Sequence, residues 1–133
     1  MSLVVDHLGV AVRSLSAARH LYDTLGLPLS AEENVPGEKV RLLMVKVGDL
    51  RIELLEATSH DSVIAKFISR RGEGLHHIGL RVPNLAHTVE RLKADGVRLV
   101  SEEIKTGAGG QQYVFIHPAS ASGVLLELVG GAG

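Results

Sequence analysis

The sequence predicts an α+β fold made of two tandem βαβββ modules. Their strands are expected to form a cupped, eight-stranded mixed sheet with the helices on its outer face. Three observations predict it. First, Asp6-His7-Leu8-Gly9-Val10 and His76-His77-Ile78-Gly79-Leu80 look like copies 70 residues apart (77 − 7). The same offset carries Val12 onto Val82, Leu15 onto Leu85, Gly26 onto Gly96 and Glu32-Glu33 onto Glu102-Glu103. Second, Ile52-Glu53-Leu54 recurs as Leu126-Glu127-Leu128 at an offset of 74 (127 − 53). Third, the apolar residues alternate with period two in the copied segments and recur with a period near 3.6 between them, the signatures of strand and helix.

The first module, about 1–58, opens with a strand from Leu3 to Val12. Leu8, Val10 and Val12 share one of its faces, and His7, Gly9 and Ala11 share the other. Ser14 or Ser16 is suited to cap a helix carrying Leu15, Ala18, Leu21, Tyr22 and Leu25, and Gly26 stands where a glycine stop belongs. Leu27 to Glu33 reads as a short strand and Asn34-Val35-Pro36-Gly37 as a turn. Val40–Val47 and Leu50–Glu56 read as a hairpin turning at Gly48-Asp49. A linker helix, about 61–71, carries Val63, Ile64, Phe67 and Ile68 and ends in Arg70-Arg71. The second module, about 75–130, repeats the order. It has a strand from Leu75 to Val82, a helix from Asn84 to Asp95, and strands at Val97–Glu103, Gln112–His117 and Val124–Val129, with a glycine turn at Gly107–Gly110. Residues 1–133 are read as one domain, with a frayed Gly-Ala-Gly end.

Composition narrows the function classes. The chain is 45% hydrophobic and 22% charged with a net charge of −1, which gives no electrostatic footprint for nucleic acid. No apolar run approaches the ~20 residues of a membrane span. There is no cysteine, so a metal would be held by nitrogen and oxygen ligands alone. The chain opens in an apolar strand without a secretory or transit pattern, and a cytoplasmic location is the expectation.

The alternation also selects the candidate site. In four strands an apolar pair faces the helices (Leu8/Val10, Ile52/Leu54, Ile78/Leu80, Leu126/Leu128), while His7, Glu53, His77 and Glu127 face away. A lone strand histidine is ordinarily a hydrogen-bonded core or surface residue, and a lone strand glutamate ordinarily lies on a solvated face. Recurrence of both at matching places favours a metal site at a pseudo-twofold axis. Two imidazoles and two carboxylates suit Co²⁺, Ni²⁺, Zn²⁺, Mn²⁺ or Fe²⁺. Strand parity excludes His76 in favour of His77. His117, beside Pro118, is as well suited to a turn as to the pocket, and His20, His60 and His87 are expected to be exposed. Arg81 shares the face of His77, so an anion-holding role and a solvated one stand level. The glycine run at 107–110 lacks a following helix and is read as a hairpin turn rather than a phosphate cradle.

This His, Glu, His, Glu set in a paired βαβββ plan resembles the vicinal oxygen chelate superfamily, and within it the methylmalonyl-CoA epimerase family. The likeness is carried by Asp6 to Val12, Arg51 to Glu56 and Gly72 to Ile78. The linker Asp61 to Phe67 and the ending Phe115-Ile116-His117-Pro118 through Gly123 to Leu128 are more specific to the epimerases. The resemblance implies interconversion of (2R)- and (2S)-methylmalonyl-CoA through an enolate stabilised by a divalent metal, cobalt foremost, held by His7, Glu53, His77 and Glu127. It also implies an acyl-CoA substrate, propionate metabolism and a homodimer. Arg70, Arg71 and Lys105 are candidates for contacts to the CoA phosphates. Two departures bear on mechanism: some members carry Gln at the position of Glu53, and some carry a third-strand glutamate where this chain has Leu42, beside Arg41. Epimerisation needs an acid/base group on each side of the reacting carbon. The symmetry of Glu53 and Glu127 nominates them as that pair. Lactoylglutathione lyase, of the same superfamily, and a non-catalytic small-molecule-binding module of the same fold are the alternatives.

Overall fold

The structure, a computed structural model, describes residues 3–130. The Gly-Ala-Gly end lies outside them. Its strands are β1 (Val4–Ala11), β2 (Glu33–Val35), β3 (Val40–Val47), β4 (Leu50–Ala57), β5 (Gly74–Arg81), β6 (Lys105–Thr106), β7 (Gln112–Ile116) and β8 (Leu126–Gly130). The helices are α1 (Leu15–Thr24), α2 (Val63–Arg71) and α3 (Leu85–Ala94). Strands pair in the order β2-β3-β4-β1 in the first half and β5-β8-β7-β6 in the second. β1/β4 and β5/β8 are parallel and the other pairs within each half antiparallel, so the α+β, mixed-pairing expectation holds. Backbone packing divides the chain into two compact units, His7–His76, and Met1–Asp6 with His77–Gly133. No helix among the described residues is long and apolar enough to cross a membrane.

Each unit builds its own core on the helix side of its strands. In the first, Val12, Leu15, Leu43, Val45 and Leu54 are buried together, with Val10, Ile52, Ala18 and Tyr22 packed against them. In the second, Val82, Leu85, Val89, Val114, Ile116 and Leu128 play the same part, joined by Leu80, Leu92 and Leu126. The apolar strand faces are thus the ones expected to meet the helices. Leu21 and Leu25 of the expected α1 stripe are instead 58% and 62% exposed. At about 100° per residue they fall on the flank of the row set by Leu15, Ala18 and Tyr22.

Helix ends follow local chemistry. Ser14 and Asn84 cap α1 and α3 by accepting from the Ala17 and His87 amides at 3.1 Å. Gly26 and Gly96, both at φ +79°, end them in the left-handed conformation that glycine adopts without penalty. Glu56 adds a cap from outside the helix, its Oε1 accepting from the Leu15 amide at 2.7 Å while Arg41 holds its other oxygen. Burial pushes the Glu56 carboxyl up, but the Leu15 amide and the Arg41 guanidinium outweigh it and the net shift is downward.

Two expected strands are corrected. Leu27–Glu33 and Val97–Glu103 are largely irregular, each reduced to one bridge, Leu29 to Val45 and Leu99 to Ile116. The short edge strands form later instead, at β2, which takes in Asn34 and Val35 of the expected turn, and at β6. Side chains displace the ladder. Pro28 has no amide hydrogen to donate. Ser30 Oγ accepts the Met44 amide at 2.9 Å, and Ser120 Oγ accepts the Arg98 amide at 2.9 Å. The irregular segments nevertheless match between halves. Lys46 N–H donates to the Pro28 carbonyl and Ser30 N–H to Met44, as His117 N–H does to Arg98 and Val100 N–H to Phe115.

A carboxyl whose folded pKa lies below its unfolded value stabilises above the unfolded value and loses that contribution as pH falls. Glu56→Gln should therefore cost about 1 kcal/mol in urea unfolding at pH 7. The difference from wild type should shrink as pH falls below the reference value of 4.5. Asp61, hydrogen-bonded by Lys39 and Ser59 and held at about 2, acts in the same direction, its contribution lost between pH 3.8 and about 2.

Candidate metal centre

The four residues selected by strand parity are buried or nearly so. His7, His77 and Glu53 are 4%, 5% and 9% exposed, unusual for charged or chargeable groups on a strand face. Glu127 is also largely buried, its side chain 12% exposed. Each half brings its own pair together. In the first, His7 Nε2 lies 3.7 Å from Glu53 Oε1. In the second, His77 Nε2 lies 3.1 Å from Glu127 Oε1.

Register explains the pairing. Parallel β1/β4 sets Gly9 beside Glu53, and parallel β5/β8 sets Gly79 beside Glu127. In each case the histidine stands two residues before the glycine, on the same face and one strand away from the carboxylate. Glycine at that point leaves no side chain between imidazole and glutamate.

The donor set fits a divalent ion. Neighbouring ligands at ~2.1 Å from an octahedral ion lie ~3 Å apart; the His77–Glu127 pair has that spacing at 3.1 Å, and the His7–Glu53 pair is wider at 3.7 Å. Imidazole nitrogen and carboxylate oxygen suit a borderline first-row metal, and no thiolate competes.

The surroundings of the two pairs differ. Across the β3/β4 ladder, Met44 stands opposite Glu53 and buried Leu42 opposite Leu55. Across β7/β8, Phe115 stands opposite Glu127 and Tyr113 opposite Val129. The Phe115 ring meets His77 edge-on at 5.5 Å and Tyr113 at 5.7 Å, so His77 is braced by an aromatic row. Leu42 offers no carboxylate at that place on β3.

The other histidines make different contacts or lie at the surface. His76 turns away from His77 and stacks edge-on against Phe67 of α2 at 5.0 Å. His117 Nδ1 accepts the Ala119 amide at 3.0 Å and serves the Pro118 turn. His20, His60 and His87 are exposed, as are Arg70, Arg71 and Lys105. The sequence leaves Arg81 level between an anion-holding and a solvated role, and its side chain is both 42% exposed and engaged. Its Nε and a terminal nitrogen donate to the buried Asp6 carboxylate at 3.0 and 2.7 Å. Sequence reasoning missed Asp6 as a partner; the one signal for it was an acidic residue beside a candidate ligand.

Residues 6–115 match the model of the Glyoxalase/Bleomycin resistance protein/Dioxygenase superfamily. The chain belongs to that superfamily. Its relatives narrow the assignment. It is 36% identical over 126 residues to the mitochondrial methylmalonyl-CoA epimerase of Bos taurus, covering 93% of this chain and 72% of that one. The crystal structure of methylmalonyl-CoA epimerase from Mycobacterium tuberculosis is 39% identical with a TM-score of 0.90, covering 97% of this chain and 88% of that one. A methylmalonyl-CoA epimerase solved in complex with methylmalonyl-CoA and NH4+ is 33% identical with a TM-score of 0.92, covering 99% and 97%. Within the superfamily, the chain falls among the methylmalonyl-CoA epimerases.

Phe115→Leu removes the edge contact to His77 while keeping an apolar side chain. The variant is expected to shift the His77 imidazole resonances in NMR spectra. It should cost about 1–2 kcal/mol in denaturant unfolding.

Proposed function

We propose that this chain is a metal-dependent epimerase that interconverts (2R)- and (2S)-methylmalonyl-CoA, with His7, Glu53, His77 and Glu127 as the ligands of one divalent ion. The observation that carries the reading is the buried His–Glu pair repeated in both halves, in a chain whose relatives include epimerases of this ester. The same reading takes cobalt as the favoured ion, with zinc, nickel, manganese or iron(II) as alternatives. It also takes a homodimer as the assembly, the cytoplasm as the compartment and propionate metabolism as the setting. These finer points are supported by resemblance to the epimerase family.

The chemistry asks two things of the residues. The α-hydrogen between a thioester and a carboxylate is only weakly acidic, so the charge that develops on its removal must be stabilised. A bound divalent ion would supply that stabilisation as a Lewis acid. The hydrogen must also leave from one face and return to the other, which takes an acid/base group on each side. Glu53 and Glu127 come from different halves and fill matching places, so each serves one face, taking the proton in one direction and giving it in the other. Burial on strands keeps both carboxylates fixed and shields the exchange from bulk water.

One feature favours a second reading: a glutamate at position 53 also suits a lactoylglutathione lyase, which moves a proton by related chemistry. The two are separated by running cobalt-loaded protein in D₂O with methylmalonyl-CoA and, in parallel, with the glutathione–methylglyoxal hemithioacetal. Chelator-sensitive deuterium at C2 of the CoA ester is expected. Lactoylglutathione formation alone would transfer the chain to the lyases. Glu53→Gln should still bind metal by calorimetry and lose about 10²–10⁴-fold in turnover. Undiminished turnover in that variant would remove Glu53 from the acid/base pair.

A further inference from the structure

Arg81 is the cationic side chain nearest in sequence to the candidate ligand His77 on its strand face, and its guanidinium is already engaged. One edge is taken by Asp6, whose side chain is only 6% exposed. With the Gln111 amide oriented so that its oxygen faces the guanidinium, that oxygen accepts from both terminal nitrogens, at 2.9 and 2.8 Å. A guanidinium already neutralised on one edge and bonded on the other acts as a bridge.

The bridge ends on the glycine turn. The Gly107 amide donates to the Gln111 carbonyl at 2.8 Å, and the Gly110 amide donates to Gly107 at 3.1 Å. The turn also presses on an aromatic ring, since a Cβ added at Gly107 would lie 3.0 Å from Tyr113 Cε1. Tyr113 meets Phe115, and Phe115 meets His77. Residues 107–110 are therefore tied in two ways, by Gln111 to Arg81 and Asp6, and by Tyr113 and Phe115 to His77. Asp6 immediately precedes His7 in the chain, so both ties lead back to candidate ligands.

We propose that Arg81 is a positioning residue, which uses Asp6 as its anchor and Gln111 as its contact to hold the 107–110 turn beside the aromatic row of β7. The turn borders the face that carries His77 and Glu127, and its placement sets how the thioester arm of the acyl-CoA is held. This role rests on the epimerase reading for its effect on catalysis, but the mechanical tie stands apart from it.

Gln111→Leu leaves the Asp6–Arg81 pair in place and removes only the contact to the turn. Backbone amide exchange at 107–111 in the ligand-free protein should accelerate about tenfold or more. KM for methylmalonyl-CoA should rise about fivefold with kcat within about twofold and the melting temperature nearly unchanged. Gln111→Glu, which keeps an acceptor facing the guanidinium, should restore both. Arg81→Met should repeat the KM effect, and the double variant should add nothing, as two parts of one device do. If Arg81→Met does not fold, the two Gln111 variants decide alone. Unchanged exchange in Gln111→Leu, or failure of Gln111→Glu to restore it, overturns the proposal, as does an unchanged KM. Wild-type protein silent on methylmalonyl-CoA would defeat the epimerase reading only. The exchange rates would then decide the clamp, faster exchange in Gln111→Leu supporting it and unchanged exchange sinking it.

Discussion

A buried imidazole needs a polar partner, and in each half of this chain a glutamate one strand away supplies it. Most of the other features follow from that requirement. The histidine and glutamate must sit on the strand face opposite the helix core, which sets the alternation of β1, β4, β5 and β8. Their strands must be parallel neighbours in a register that places the glutamate opposite a glycine. The helix between them makes the parallel pairing reachable, because a crossover connection is needed where a hairpin would give antiparallel strands. Leu15 and Leu85, each buried at the start of its crossover helix, then close the core beneath.

The candidate site was legible because duplication turns weak signals into a joint one. One histidine in an apolar strand is uninformative, but His7 and His77 at the same place in two copies, with Glu53 and Glu127 at a second shared place, are not. The modules, helix caps and glycine stops were legible because each rests on chemistry within a few residues. What was not legible depends on side chains meeting across the fold. Ser30 and Ser120 intercept amides that the period-two pattern would give to a ladder, so 27–33 and 97–103 run irregular where that pattern predicts strands. Arg81 could be placed on a face, but nothing local disclosed that Asp6, 75 residues away, occupies it.

The two halves share a backbone plan but not a lining. Met44 stands opposite one glutamate and Phe115 opposite the other. A thioether side chain adapts its shape, whereas an aromatic row holds a neighbour in place. His77 has Glu127 at 3.1 Å and the Phe115 ring edge-on.

The starts of α1 and α3 are seated differently in the two halves. Glu56, at the end of the first half, corresponds by the 74-residue offset to Gly130. There, a Cβ would come within 2.9 Å of the Leu85 Cβ. One copy seats its helix on a carboxylate reaching the Leu15 amide, and the other has closed its helix onto bare backbone. The copies have become mutually incompatible parts. A glutamate copied to 130 would have to push α3 aside, and a glycine copied to 56 would leave the start of α1 without its outside cap.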